Sequence, residues 1–171
     1  MTARRVPVAG LIVAAIVFVV DQAVKWAVTG PLGIDFIGAY RTILPVFDLR
    51  FTQNQGVSLG LLRAESEGMR WLLVAFTAAI AIGVAVWMFR ERKRIDQAAL
   101  ALVLGGALGN IVDRVRFGYV VDFADLHFGE WRPFLVFNVA DAAITFGVLI
   151  LLVRALLIRE KPADNSENVH A

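Results

Sequence analysis

Residues Trp71–Phe89 read WLLVAFTAAIAIGVAVWMF, nineteen in succession without a charge. At about 1.5 Å of rise per residue, a helix of this length spans about 28 Å, close to the thickness of the hydrocarbon core of a bilayer. The whole chain has 58% hydrophobic and 19% charged residues. A soluble domain has about half apolar and about a quarter charged residues. The stretch therefore predicts a membrane-spanning helix in a membrane protein.

Three other apolar stretches predict further spans around this helix, which covers about 70–89. The first span, at about 7–29, carries Asp21 and Lys25, and no small-residue cleavage site follows it as in a secretory signal peptide. The third, at about 96–114, is rich in glycine and alanine, as expected where helices pack closely in lipid. The fourth covers about 138–158. We predict a mainly α membrane protein, with residues 1–161 forming one domain, a four-helix transmembrane bundle.

Basic residues beside the spans predict the orientation of the bundle. With four spans they fall on one side: Arg4 and Arg5, the run RERKR at 90–94, and Arg154, Arg159 and Lys161. Because Lys and Arg are enriched in cytoplasmic loops, both termini should be cytoplasmic. The connection 30–69 is then outside, and its β-like segments predict a small extracytoplasmic β-sheet. The polar residues 162–171 predict a disordered cytoplasmic tail.

The composition argues against several classes of site. Without cysteine, the chain has no disulfides, thiolate catalysis or cysteine-based metal site. With His127 and His170 as its histidines, a His-rich metal site is not expected. Lys and Arg lie beside apolar stretches, which indicates membrane topology and not nucleic-acid binding. We therefore expect no metal and no nucleic-acid partner.

Polar residues gather at one depth, the predicted outer ends of the spans. They are Asp21, Lys25, Asn110, Asp113, Arg114, Asn138 and Asp141. An ionisable residue at membrane depth costs about 2.5–3.5 kcal/mol on insertion scales, so a cluster at one level is a candidate functional site. No similar series continues toward the cytoplasmic side, as an ion pathway would require.

Two pairs in this cluster also have a purely structural interpretation. Asp21 and Lys25 are four residues apart on one helix face, so they could simply pair with each other. Asp113 and Arg114, at the predicted end of the third helix, could belong to an ion-pair network at the membrane interface. Either pair could therefore stabilise the bundle without taking part in chemistry.

Asn138 and Asp141 have two competing interpretations. Asparagine followed three residues later by a carboxylate resembles a capping box at the start of a helix. The same spacing recurs as Asn110 and Asp113 at the end of the third helix, where N-capping has no meaning, and this recurrence favours a shared polar site. Asp122, between apolar neighbours in an extended stretch, is either a further member or an ordinary interfacial carboxylate.

Four sequence blocks occur in order along these spans and loops. They are DQAVKW at 21–26, NQGVSLG at 54–60, GNIVDR at 109–114 with VVDF at 120–123, and FNVADAAI at 137–144. Together they resemble bacterial lipoprotein signal peptidase, also called signal peptidase II. One residue departs from the family pattern, Leu59, where members commonly carry Phe. Four blocks in order on a four-span chain make the resemblance specific.

The resemblance implies a membrane-embedded aspartyl endopeptidase in which Asp122 and Asp141 activate water, without a cofactor. Spacing alone leaves Asp113 as an equal candidate, but pairing with Arg114 would keep Asp113 ionised, whereas a catalytic pair shares a proton. The implied substrate is a prolipoprotein whose cysteine carries diacylglyceryl, cut just before that cysteine. Substrate-binding or supporting roles are implied for Asp21, Lys25, Asn54, Gly56, Gly106, Asn110, Asp113, Arg114 and Asn138.

The resemblance also implies a location and partners. We expect a multi-pass protein of the bacterial inner membrane, a monomer with its active site near the outer leaflet, whose partners are the prolipoprotein and membrane lipid. Two other functions remain open from the residues alone. An ion-coupled transporter or channel would also contain buried carboxylates, and a scaffolding protein could use a polar cluster for helix packing.

Overall fold

The computed structural model describes residues 6–56 and 67–157. It contains four helices, α1 (Val8–Thr29), α2 (Glu67–Arg90), α3 (Arg94–Phe117) and α4 (Val139–Leu157), each long and apolar enough to cross a membrane. The connections contain three strands, β1 (Tyr40–Leu44), β2 (Phe47–Asn54) and β3 (Val120–Leu126). The predicted fold, a four-helix bundle with a small sheet, is confirmed.

α3 is the central helix of the bundle. Half of its apolar span is buried, compared with 22% in α1, 17% in α2 and 11% in α4, and each of these helices packs along α3. A Cβ at Gly105 would come within 2.5 Å of the Ala14 carbonyl oxygen on α1. A Cβ at Gly106 would come equally close to the Ala140 carbonyl oxygen on α4. The glycines therefore allow three helix backbones to approach closely.

The three strands form one antiparallel sheet in the order β1, β2, β3. The register of β2 and β3 pairs Thr52 with Asp122. Phe51 and Phe123 of the sheet pack against Val28, near the end of α1. α1 and α3 end beside the sheet, and α2 and α4 begin there, so this end of the bundle is called the sheet end below.

Two helices extend beyond their predicted spans at the sheet end. α2 begins at Glu67 and not at 70, and α3 continues to Phe117 and not to 114. Gly118 caps the end of α3, and its φ of 85° is the left-handed conformation that glycine favours at a helix C-terminus. Asp113 therefore lies one turn inside α3, and its predicted position at the helix end was wrong. The predicted tail at 162–171, and residues 57–66 of the predicted outer loop, lie outside the described residues.

Candidate functional site

Asp122 lies in the middle of β3 and is 1% exposed. The Asn54 side chain, at the end of β2, donates a hydrogen bond from Nδ2 to Asp122 Oδ2 at 2.9 Å. Asn54 is itself held by the Gly56 backbone N–H, which donates to Asn54 Oδ1 at 2.9 Å. Gly56 has a φ of 90°, a conformation that favours glycine and closes this turn after the strand. The extended stretch and the described start of the 54–60 block, Asn54 to Gly56, thus meet at one carboxyl group.

The start of α4 brings the second aspartate to the same place. The Asp141 N–H donates to Asn138 Oδ1 at 2.9 Å, and the Asn138 N–H donates to Asp141 Oδ2 at 3.4 Å. These reciprocal bonds form the capping box. The same Asn138 side chain also donates from Nδ2 to Asp122 Oδ1 at 2.6 Å. Both interpretations of Asn138 and Asp141 therefore hold, because the capping residue is also the link between Asp122 and Asp141.

Asn110 on α3 completes a chain of amides around the two aspartates. Its Nδ2 donates to Asp141 Oδ1 at 2.8 Å. Its Oδ1 accepts from Asn138 Nδ2 and from Lys25 Nζ, both at 3.3 Å. The recurrence of Asn and Asp at the same spacing on α3 and α4 thus corresponds to a shared polar site, as the sequence indicated.

Lys25 of α1 forms two buried ion pairs. Its Nζ lies 2.8 Å from Asp21 Oδ2 and 2.8 Å from Asp113 Oδ2 on α3. Gln22 adds a hydrogen bond to Asp113 Oδ1 at 2.9 Å. Gly109 leaves room for this arrangement, because a Cβ there would lie 2.5 Å from Asp21 Oδ2. The predicted pairing of Asp21 with Lys25 is present, and Lys25 also pairs with Asp113.

The predicted pairing of Asp113 with Arg114 was wrong, because the ion pair of Asp113 is with Lys25. Successive residues on a helix point about 100° apart, so Asp113 and Arg114 face different neighbours. Arg114 turns toward Gly56, where a Cβ would lie 3.6 Å from Arg114 Nη2. Its guanidinium lies within electrostatic reach of Asp141, Asp122 and Asp113.

The ion pairs also hold the backbone beside each candidate catalytic residue. Asp113 Oδ2 accepts a hydrogen bond from the Val121 N–H at 3.1 Å, one residue before Asp122. Asp21 Oδ1 accepts from the Ala140 N–H at 2.9 Å, one residue before Asp141. The two acidic members of the Lys25 cluster are therefore positioning groups for β3 and for the start of α4.

The surroundings of Asp122 favour its protonated form. Burial and, next, the negative charge of Asp141 raise the pKa of Asp122 to about 7. Hydrogen bonds from Asn54 and Asn138 and the charge of Lys25 act in the opposite direction. A carboxyl group that keeps a proton near neutral pH beside a second carboxyl group forms the kind of pair that general acid–base chemistry uses.

Comparison with known proteins gives the family of this chain. Residues 13–157 match the family described as Signal peptidase (SPase) II. The chain belongs to the signal peptidase II family. The resemblance predicted from the four sequence blocks is thereby confirmed.

Individual relatives agree with this assignment. The lipoprotein signal peptidase of Rhizorhabdus wittichii is 58% identical over 162 residues, which cover 95% of this chain and 93% of the relative. That of Sphingopyxis alaskensis is 56% identical over 152 residues, covering 89% and 87%. Two solved structures, each described as a bacterial membrane enzyme, are 28% identical to this chain, with TM-scores of 0.77 and 0.72. They cover 93% and 90% of this chain and 99% and 93% of their own.

One predicted supporting residue of this signal peptidase II chain lies in a helix interface, and the residue that departs from the family pattern lies beyond the described part. Gly106 packs α3 against Ala140 and Ile144 of α4, so its place is in the helix interface. Leu59, the departure from the family pattern, lies outside the described residues. Within 6–56 and 67–157, no three His, Cys, Asp or Glu side chains are grouped to hold a metal ion.

Sequence reasoning missed two residues that contact the candidate site of this signal peptidase II chain. Gln22 joins Asp113, but an uncharged residue inside a charged block gave little signal. Arg70 donates from Nε to the Arg114 carbonyl oxygen at 2.8 Å and from Nη2 to the Val115 carbonyl oxygen. A cation near the last carbonyls of a helix is favourable, and here the cation comes from the neighbouring helix. A cationic residue at the start of α2 was the available signal.

Proposed function

We propose that this protein is an aspartyl endopeptidase that removes the signal peptide from diacylglyceryl-modified prolipoproteins, cleaving just before the lipid-modified cysteine. One observation carries the proposal. Asn138 donates to Asp122 from its side chain while its backbone N–H donates to Asp141, so one residue joins both carboxyl groups. The family supports the substrate class, because its relatives are named lipoprotein signal peptidases.

The chemistry follows from a proton shared between Asp122 and Asp141. Two carboxyl groups held close together do not both ionise readily, so the pair retains one proton. The ionised carboxylate takes a proton from water, whose oxygen bonds to the scissile carbonyl carbon, and the protonated partner gives its proton to the carbonyl oxygen. Proton transfer to the amide nitrogen then breaks the C–N bond, while the second carboxylate takes a hydroxyl proton from the diol. The products are a carboxylic acid and an amine, and the pair again holds one proton.

The charge balance of the site supports this protonation. Four carboxyl groups, those of Asp21, Asp113, Asp122 and Asp141, lie near two cations, Lys25 and Arg114. Lys25 contacts Asp21 and Asp113 directly, which leaves Arg114 near the other two carboxyl groups. Retention of one proton by Asp122 and Asp141 therefore reduces an excess of buried negative charge.

The shape of the bundle supports access from the lipid. α2 and α4 both pack along α3 and have no extensive contact with each other. Asn110 and Arg114 lie on α3 at the sheet end, beside Asp141 at the start of α4. A lipidated peptide could keep its acyl chains in the bilayer while its peptide bond reaches the aspartates from the side. Asn54 and Gly56, on the sheet side of the aspartates, would hold the substrate backbone.

The orientation proposed for the enzyme follows from its basic residues. Arg90, Arg92, Lys93 and Arg94 lie at the end of the bundle opposite the sheet. The positive-inside rule supports a cytoplasmic location for this end, with both termini, and an outer location for the sheet. The enzyme would thus work near the outer leaflet of the bacterial inner membrane. One chain holds both aspartates, which supports a monomer.

The test compares Asp122→Asn and Asp141→Asn with the wild type on a diacylglyceryl-modified prolipoprotein in detergent. Each variant should lose activity by on the order of 10⁴-fold, because an asparagine cannot take part in sharing the proton that the two carboxyl groups hold. Glu130→Gln, which neutralises an exposed carboxylate at the sheet end, is the matched control and should stay active. Thermal unfolding of each variant checks that it remains folded.

The same assay includes the unlipidated prolipoprotein. We expect cleavage of the lipidated form alone. Full activity of either aspartate variant would contradict the catalytic pair, and equal turnover of both substrates would contradict the specificity for lipoproteins.

A further inference from the structure

A cleft of about 190 Å³ opens at the sheet end between α1 and the turn from α3 to β3. Its lining includes Trp26, Asp35, Arg116 and Tyr119. It shares no lining residue with the set formed by the two candidate catalytic aspartates and the asparagines that contact them. The cleft therefore borders the positioning residues Lys25 and Asp113 but does not contain the proposed catalytic pair.

The rim of this cleft carries two opposite charges, Asp35 and Arg116, and both residues are exposed. Within the described part of the chain, neither side chain forms an ion pair or a hydrogen bond, although the Arg116 guanidinium lies over the Phe117 ring at 4.9 Å. Lys25 and Asp113, deeper in the cleft, are paired with each other. The charges available to a ligand are thus one carboxylate and one guanidinium.

Aromatic residues give the depth of the cleft in the membrane. Trp26, in the last turn of α1, is 68% exposed, and Phe117, at the end of α3, is 46% exposed. Exposed Trp and Tyr mark the level of the lipid headgroups in membrane proteins. Ile12 and Val19 precede Trp26 at intervals of seven residues, nearly two turns each, and are also exposed. An apolar stripe on α1 therefore runs from the cleft into the hydrocarbon region.

We propose that this cleft binds the headgroup of a zwitterionic phospholipid. The phosphodiester lies against the Arg116 guanidinium, which suits phosphate oxygens, and the ammonium group lies against Asp35 beside the Trp26 ring. The acyl chains follow the stripe of Ile12 and Val19. The volume is below the roughly 300–1,000 Å³ of typical small-molecule pockets, which fits a headgroup better than a folded peptide.

Native mass spectrometry of the purified protein in detergent tests this proposal with two lipids. Phosphatidylethanolamine carries both charges, whereas phosphatidylglycerol carries the phosphate alone. We expect the wild type to retain phosphatidylethanolamine about fivefold better, as one ion pair at a surface can provide. Asp35→Asn should remove this preference without weakening phosphatidylglycerol binding, and Arg116→Gln should weaken the binding of both lipids.

Two exposed residues of the sheet end provide matched controls. Glu130→Gln and Arg41→Gln make the same changes of charge away from the cleft and should leave lipid binding as in the wild type. Equal retention of the two lipids by the wild type, or the same losses in the controls, would overturn the proposal. So would a rise in KM for prolipoprotein in Asp35→Asn and Arg116→Gln with unchanged lipid binding, because the cleft would then belong to the substrate.

Discussion

Asp113 and Asp122 are equally buried, each 1% exposed, yet their partners differ in charge. Asp113 contacts the Lys25 ammonium at 2.8 Å and accepts further hydrogen bonds from a glutamine side chain and a backbone N–H. Asp122 accepts hydrogen bonds from two neutral asparagine side chains, and burial together with the negative charge of Asp141 raises its pKa. Burial alone therefore does not distinguish a structural carboxylate from a catalytic candidate. The charge of the nearest partner does.

The two aspartates are also connected through the backbone. Asp113 holds the Val121 N–H, and Val121 precedes Asp122 on β3. The aspartate paired with Lys25 thus fixes the position of the aspartate whose pKa is raised. Substitutions at the two places should therefore have different outcomes. Loss of Lys25 should disturb the whole site. Changes around Asp122 should alter its protonation with little effect on the fold.

The largest expected effect on the fold comes from Lys25→Met. The substitution leaves Asp21 and Asp113 buried without their cation, and breaking a buried ion pair in this way costs about 3–5 kcal/mol. The free energy of unfolding in SDS-containing mixed micelles measures the loss. Lys93→Met removes an exposed lysine at the opposite end and should have little effect. Equal stability of the two variants would show that Lys25 is not the partner that Asp113 requires.

A smaller effect, on the pH dependence of stability, is expected for Asp122→Asn. The pKa of Asp122 is raised to about 7 from an ordinary value of 3.8. Between these pH values the unfolded chain loses this proton while the folded protein retains it, so the stabilising contribution of the group, complete below pH 3.8, is lost as the pH rises through about 7. Asparagine does not titrate, so the stability of the variant relative to that of the wild type should rise between pH 4 and pH 8, by on the order of 1–3 kcal/mol.

Thermal unfolding in detergent between pH 4 and pH 8 measures this gain. Asp113→Asn makes the same chemical change at the other aspartate and should lower the unfolding temperature at neutral pH, because Lys25 loses a buried partner. Parallel behaviour of the two variants would contradict the distinction between the two carboxyl groups.

The sequence was sufficient for the spans and the family, and insufficient for the pairing of the charges. Uncharged runs such as Trp71–Phe89 predict helices, because a long apolar segment crosses a bilayer as a helix. The family resemblance rested on the blocks that contain asparagine and aspartate. The partner of Asp113 depends on how α1 packs against α3, which adjacent residues do not reveal, so Arg114 was the wrong choice. The contact of Asn54 with Asp122 depends on the register of β2 and β3, and a shift by one residue would point Asn54 to the other face.

The smallest expected effect concerns the pH dependence of cleavage, and it separates protonation from structure at Asp122. The hydrogen bond from Asn54 favours the ionised carboxylate and lowers the pKa of Asp122 against the effect of burial. Asn54→Ala removes this bond, so the carboxyl group should keep its proton to higher pH. The fall of kcat on the alkaline side should move up by about one pH unit, as expected for one hydrogen bond to a charged group. Gln53→Ala, the neighbouring amide on β2, should leave the profile unchanged, and a lower kcat at every pH in Asn54→Ala without this displacement would assign Asn54 to substrate binding instead.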